Sequence, residues 1–154
     1  MVTRKTEPTL RARAMQALSR REYSRAELRA KLLPHAGEMD DVDAVLDALI
    51  DRGWLSDTRA ATQLVHARRA RFGIQRITHE LRQKGIAEEL IGASMPQLKE
   101  TELAAARMVW QKKFGTLPQD AKEQARQIRF LQSRGFSTEM IFRVLREDPV
   151  SETE

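Results

Sequence analysis

The chain has 154 residues, no cysteine, and a formal net charge of +5 from 27 Lys and Arg against 22 Asp and Glu. That length buries one modest core or several small ones in series, and 41% hydrophobic, 32% charged and 5% aromatic residues favour thin helical layers over one thick core. Disulfide and thiolate chemistry are excluded, no apolar run approaches the roughly 20 residues of a membrane span, no secretory signal is expected, and the composition fits a cytoplasmic protein.

Residues 1–9 read as a basic arm containing Arg4 and Lys5. From Leu10, the apolar positions Leu10, Ala14, Ala17 and Leu18 trace one stripe of a first helix reaching Arg21. Ser24-Arg25-Ala26-Glu27 is a capping box that opens a second helix, with Leu28 and Leu32 inward and Pro34 and Gly37 as its stop. A third helix starts at Asp40 or Asp41, turns Val42, Val45, Leu46 and Leu49 inward, and ends at Gly53-Trp54. Ser56 or Asp57 caps a fourth, which carries Ala60, Ala61, Leu64 and Val65 toward Phe72. The fifth places Ile74, Ile77 and Leu81 on one side and is closed by Gly85 and Ile86. A short sixth from about Ala87 is expected to break at Pro96, with a seventh from Lys99 to Lys113 turning Leu103, Ala106, Val109 and Trp110 inward. Pro118 is expected in the first turn of an eighth helix holding Ala121, Ala125, Ile128 and Leu131 and closed by Gly135. Ser137 caps a ninth with Met140, Ile141, Val144 and Leu145, stopped by Asp148-Pro149, and 149–154 reads as a disordered tail. No stretch alternates with a strand period, so the fold class is all-α.

Parts of this pattern repeat. Tyr23 is followed five and nine residues later by Leu28 and Leu32, and Phe72 likewise by Ile77 and Leu81. Leu81-Arg82-Gln83-Lys84-Gly85-Ile86 matches Leu131-Gln132-Ser133-Arg134-Gly135-Phe136, and Phe114 gives a third unit its aromatic. The simplest account is three tandem three-helix repeats, 10–55, 56–97 and 98–148, forming an elongated, curved, solenoid-like molecule that binds partners along a concave face.

The charge lies in blocks, and its positive surplus favours a polyanionic partner such as nucleic acid or an acidic protein surface. The leading candidate site is the basic group Arg68, Arg69, Arg71, Arg76, Arg82 and Lys84, with Arg25. Guanidinium forks suit phosphate and carboxylate better than a lysine point charge does; the plain alternative is a solvated face. The acidic helix with Asp40, Asp41, Asp43, Asp47 and Asp51 either meets a basic partner patch through Asp40, Asp43 and Asp47 or is solvated, Asp40 and Asp41 favouring the helix start. Tyr23, Phe72 and Phe114 recur at one repeat position and are read as packing residues, as are Trp54 and Trp110. His79-Glu80-Leu81-Arg82-Gln83 follows a zinc-protease helix until Gln83, where the second metal ligand belongs, and only His35 and His66 remain. With no phosphate-cradling glycine loop and no ordered nucleophile and base, the chain is read as a non-enzyme without metal or cofactor.

With Asp57-Thr58-Arg59-Ala60-Ala61 ahead of the stretch Gly73 to Ile86, with Leu18-Ser19-Arg20-Arg21-Glu22-Tyr23-Ser24-Arg25-Ala26-Glu27-Leu28, and with Leu49-Ile50-Asp51-Arg52-Gly53-Trp54-Leu55-Ser56-Asp57, the sequence resembles the RecX family of recombination regulators. The resemblance runs from about Leu10 to Arg146, and the third repeat departs most. It implies a cytoplasmic bacterial protein of tandem three-helix repeats that lodges along the helical groove of the RecA filament and bridges protomers. Inhibition of ATP hydrolysis, strand exchange and filament extension would follow, damping recombination and the SOS response. The implied partners are RecA and single- and double-stranded DNA, met directly or through the filament, with no membrane and with the chain a monomer. The alternative is a helical DNA-binding protein that acts on the phosphate backbone independently of a recombinase.

Overall fold

The computed structural model describes residues 6–146. The first five residues of the expected basic arm, with Arg4 and Lys5, and the expected tail at 149–154 lie outside the described residues. Among the described residues every regular element is helical: α1 (Leu10–Leu18), α2 (Arg25–Leu32) with a 3-10 turn at Leu33–His35, α3 (Val42–Asp51), α4 (Asp57–Arg68), α5 (Ile74–Gln83), α6 (Glu88–Lys113), α7 (Ala121–Ser133) and α8 (Thr138–Arg146). They are gathered into two units. One takes the chain up to Gln63 together with Lys84–Ile86; the other takes Leu64–Gln83 and the chain from Ala87 on.

In the first unit the stripes meet as their spacing requires. Leu10, Ala14 and Ala17 of α1, Leu28 and Leu32 of α2, and Val42, Leu46 and Leu49 of α3 form one buried cluster closed by Leu55. Each helix start has a side-chain acceptor for its orphan amides: Thr9 Oγ1 receives the Ala12 N–H, and Asp41 Oδ1 that of Ala44. The capping box forms as expected, Ser24 Oγ accepting from the Glu27 N–H while Glu27 Oε1 accepts from the Ser24 N–H, both at 3.0 Å. Ser24 is fully buried, and its hydroxyl also donates to the Lys84 carbonyl at 2.5 Å, so the cap ties down the segment that follows α5. Trp54, expected as a core or inter-repeat contact, is 38% exposed and outside the core, with Arg11 and Arg52 each within 5.5 Å of its ring centroid. Two nearby guanidiniums give its ring a contact that the apolar cluster does not.

The second unit departs from expectation at Pro96. The break foreseen there does not occur: α6 is one helix of 26 residues with Pro96 inside it. A proline within a helix costs about 3 kcal/mol through its missing donor and ring clash. Here Pro96 and Gly92, whose carbonyl loses its partner, are both exposed, so that carbonyl is open to solvent. The buried stripe Ile91, Leu98, Glu102, Ala105 and Ala106 runs past the proline on the other side and offsets the cost. Nor does Pro118 enter the first turn of α7. Asp120 is the cap, its Oδ1 accepting from the Glu123 N–H at 2.8 Å, which sets Ala121 as the first helical residue. Leu131, Phe136, Ile141, Val144 and Leu145 pack on Ala105 and Ala106.

Two features fix the geometry of this unit. Gly73 and Gly135 bring α5 and the turn after α7 into backbone contact, the Gly73 N–H donating to the Arg134 carbonyl (2.9 Å) and the Gln75 N–H to the Gly135 carbonyl (3.1 Å). Gly135 has φ +87 and sits against Arg76, so a side chain there is barred both by the left-handed backbone and by space. Glu102, 5% exposed, accepts from the Ile74 N–H at 2.8 Å and from the Ser137 hydroxyl at 3.1 Å. A carboxylate thereby caps α5 from within the core, where the positive helix end favours it.

Candidate partner and nucleic-acid interface

The candidate residues fall into two populations, those with carboxylate partners in the fold and those without. Asp43 and Asp47 face α2, where Arg25 reaches Asp47 at 3.0 Å and Asp43 at 3.3 Å, and Arg29 reaches Asp43 at 3.1 Å. The hydrogen bond from Arg29, with Arg25 beside it, holds the Asp43 carboxyl below the usual carboxylate range. Asp40 accepts from the Gly37 N–H at 2.8 Å. Arg25 and the acidic helix thus answer one another inside the same unit.

The basic group is also partly matched. Arg68 and Arg76 share Glu80, at 3.3 and 3.8 Å. Arg82 clasps Glu88 through two bonds of 2.6 and 3.1 Å, which lowers the Glu88 pKa. Lys84 Nζ lies 3.0 Å from Glu27, in the unit of the capping box. Burial pushes the Glu27 carboxyl up, but the bonds from Arg21, the Ser24 N–H and Lys84 outweigh it, and the net shift is downward. Arg69 and Arg71 have no carboxylate partner among the described residues. Exposed ion pairs are weak, so Arg82 exchanges its carboxylate for an external anion at small cost, while Arg68 and Arg76 would have to leave a half-buried Glu80.

The second unit adds cations and rings that the sequence reading left out of the site. Phe72 has three guanidiniums around its centroid: Arg76 at 4.3 Å, Arg134 at 5.5 Å and Arg71 at 5.9 Å. Arg134 also lies 5.2 Å from the Phe130 centroid, with Lys113 at 5.4 Å. Phe130 meets Phe114 edge to face at 5.4 Å, and Arg126 lies 5.6 Å from Phe114. The result is a strip of half-buried rings interleaved with cations, in which Arg71, Arg134 and Lys113 carry no carboxylate among the described residues. Arg126 and Phe130 on α7 and Arg134 at its C-cap recur every fourth residue, and that spacing was the available signal. Alternating rings and arginines suit an unpaired strand, with bases stacking on rings and phosphates meeting guanidiniums.

These features define a class first: an all-α protein of small packed helical domains with charged and aromatic groups on its surface. Its family follows from comparison. The profile of the second three-helix domain of RecX matches residues 56–95, and that of the third matches 100–145. Regulatory protein RecX of Ralstonia pickettii is 45% identical over 137 residues, covering 89% of this chain and 86% of its own length. That of Leptothrix cholodnii is 46% identical over 146 residues, covering 95% and 93%. The crystal structure of RecX from Lactobacillus salivarius is similar in fold, with a TM-score of 0.72 at 19% identity over 89% of this chain and 92% of that one. A second crystal structure of regulatory protein RecX gives 0.75 at 23% identity, over 90% and 72%. The chain belongs to the RecX family.

Proposed function

We propose that this protein is a negative regulator of the RecA recombinase that binds the nucleoprotein filament along its helical groove and inhibits ATP hydrolysis, strand exchange and filament extension. Family membership across nearly the whole chain carries the reading. Charge supports it: Arg68, Arg69, Arg71, Arg76 and Arg82, joined by Arg134 and Lys113, meet acidic or phosphate groups of the filament, while Arg25, Lys84 and the acids Asp40, Asp43 and Asp47 lie in the first unit and bear on it separately. A second reading, direct binding to the DNA backbone without a recombinase, is favoured by the strip of rings and cations in the second unit.

The test is the DNA-dependent ATPase rate of the cognate RecA, titrated with this protein at fixed single-stranded DNA. Inhibition at protein well below the RecA concentration, unrelieved by extra DNA, is expected. No inhibition, or inhibition that excess DNA removes, replaces this reading with direct DNA binding. On either reading Arg71→Glu with Arg134→Glu weakens the interaction and flattens its salt dependence.

A further inference from the structure

The first unit contains a second basic feature, away from the residues above. A cavity of about 210 Å³ lies between α1 and the end of α2, lined by Arg13, Gln16, Arg20, Tyr23, Lys31 and His35 over an apolar floor of Ala17 and Leu32. No carboxylate is among its lining residues. Its three permanent cations stand apart from the rest of the unit. Arg21, Arg25, Arg29, Arg59 and Lys84 each hold a carboxylate within 3.3 Å, and Arg11 and Arg52 each have a tryptophan ring. Among the described residues of this unit, only Arg13, Arg20 and Lys31 have neither, and all three line the same cavity.

Helix dipoles do not account for the arrangement. Lys31 and His35 at the end of α2 and Arg20 just past α1 do complement negative helix ends. Arg13, however, sits in the middle of α1. It joins the group because Arg13, Gln16, Ala17 and Arg20 share one helix face. Three like charges gathered without an internal counterion repel one another and are relieved by a bound anion. Two guanidinium forks, an ammonium and the polar ends of Tyr23 and Gln16 supply the donors that a tetrahedral oxyanion uses. At roughly 30 Å³ per water, the cavity holds several waters and so has room for a phosphate group.

We infer that this cavity is a phosphate-binding site, with Arg13, Arg20 and Lys31 as its ligands. The assignment does not depend on the RecA reading. The phosphate belongs either to a nucleic-acid backbone or to a small free phosphate, and the experiment separates the two.

Amide NMR spectra of the full chain are recorded against inorganic phosphate, with chloride at matched ionic strength as control, and then against a short single-stranded oligonucleotide. Saturable phosphate shifts are expected at Gln16, Ala17, Tyr23 and Leu32, without matching shifts in chloride. In the triple variant R13Q/R20Q/K31Q the affinity should fall tenfold or more, because one lost charge-assisted hydrogen bond is already worth about that factor. Among the described residues the substituted side chains make no ion pair or ring contact, and their loss relieves like-charge repulsion, so helical circular dichroism is kept, melting does not fall, and fold loss does not confuse the result. If the oligonucleotide moves the same amides and competes with phosphate, the source is a backbone; if it binds elsewhere or not at all while phosphate still saturates, the source is a free phosphate. Unmoved amides, shifts reproduced by chloride, or undiminished binding by the triple variant overturns the site.

Discussion

Replacing Gly73 with alanine should damage the second unit far more than a single methyl suggests. A Cβ at Gly73 would stand inside van der Waals contact of the Gly135 carbonyl and 2.5 Å from Phe136 Cα. Every obstructing atom is backbone, so no flexible side chain can swing away. The two segments must part, weakening the Gly73 N–H bond to Arg134 and the Gln75 N–H bond to Gly135. Two such bonds are worth about 1–3 kcal/mol together, and overpacking a tight contact costs about 1–3 kcal/mol more. The sum, about 2–6 kcal/mol, is a large part of a small unit's stability. Gly53→Ala is the control: its φ is +75, yet a Cβ there meets nothing within 4 Å, so only the left-handed penalty of about 1–2 kcal/mol applies. Urea unfolding followed by circular dichroism ranks the two. Because Phe72, Arg76 and Arg134 are placed by this contact, Gly73→Ala should also weaken the proposed inhibition of RecA at temperatures where the chain stays helical. A Gly73→Ala midpoint no lower than that of Gly53→Ala would refute the close-contact argument.

Glu102→Ala strands the Ile74 N–H and the Ser137 hydroxyl beside the core and should cost about 2–4 kcal/mol in urea unfolding, whereas Glu102→Gln, which keeps one acceptor, should cost less. Trp110→Phe removes the indole N–H that donates to buried Gln127 at 2.8 Å; a loss of about 1–2 kcal/mol in the same assay is expected. The lowered pKa of Glu27 makes a pH prediction: its contribution is full above the ordinary glutamate value of about 4.3 and is lost as pH falls through the lower folded-state value. Thermal melts of Glu27→Gln should therefore lie below the parent near neutral pH, with the gap closing in acid.

Much of the fold was legible because helix stripes and end signals are local. Leu28 and Leu32, Val42, Leu46 and Leu49, and Ile77 and Leu81 all lie buried as their spacing requires, and Ser24 forms its capping box. The internal match between Leu81 to Ile86 and Leu131 to Phe136 reflects a shared backbone event, since Gly85 and Gly135 both have positive φ and are followed by a buried apolar residue. Pro96 misled because the local rule is right about cost and silent about compensation. Whether Ile91 and Leu98 continue one stripe across it depends on packing partners distant in sequence. Glu102 was missed for the same reason, although a charged residue four positions after Leu98 and three before Ala105, on a core-facing stripe, is a visible anomaly.

Charge shows the sharpest limit of sequence reading, because its function lies in which groups remain unanswered. Counting gives +5, and block patterning directs attention to Arg68 through Lys84, yet Arg68, Arg76, Arg82 and Lys84 all have carboxylates in the fold. Arg13, Arg20 and Lys31 are scattered among other charges in the sequence and are brought to one cavity by helix packing. Carboxylate-paired cations must first release a partner before they meet an incoming anion, whereas those without a carboxylate gain at once. In salt-dependent binding assays anion affinity should therefore fall more steeply on neutralising Arg13, Arg20, Arg71 or Arg134 than on neutralising Arg25 or Arg82, although all six count equally toward the net charge.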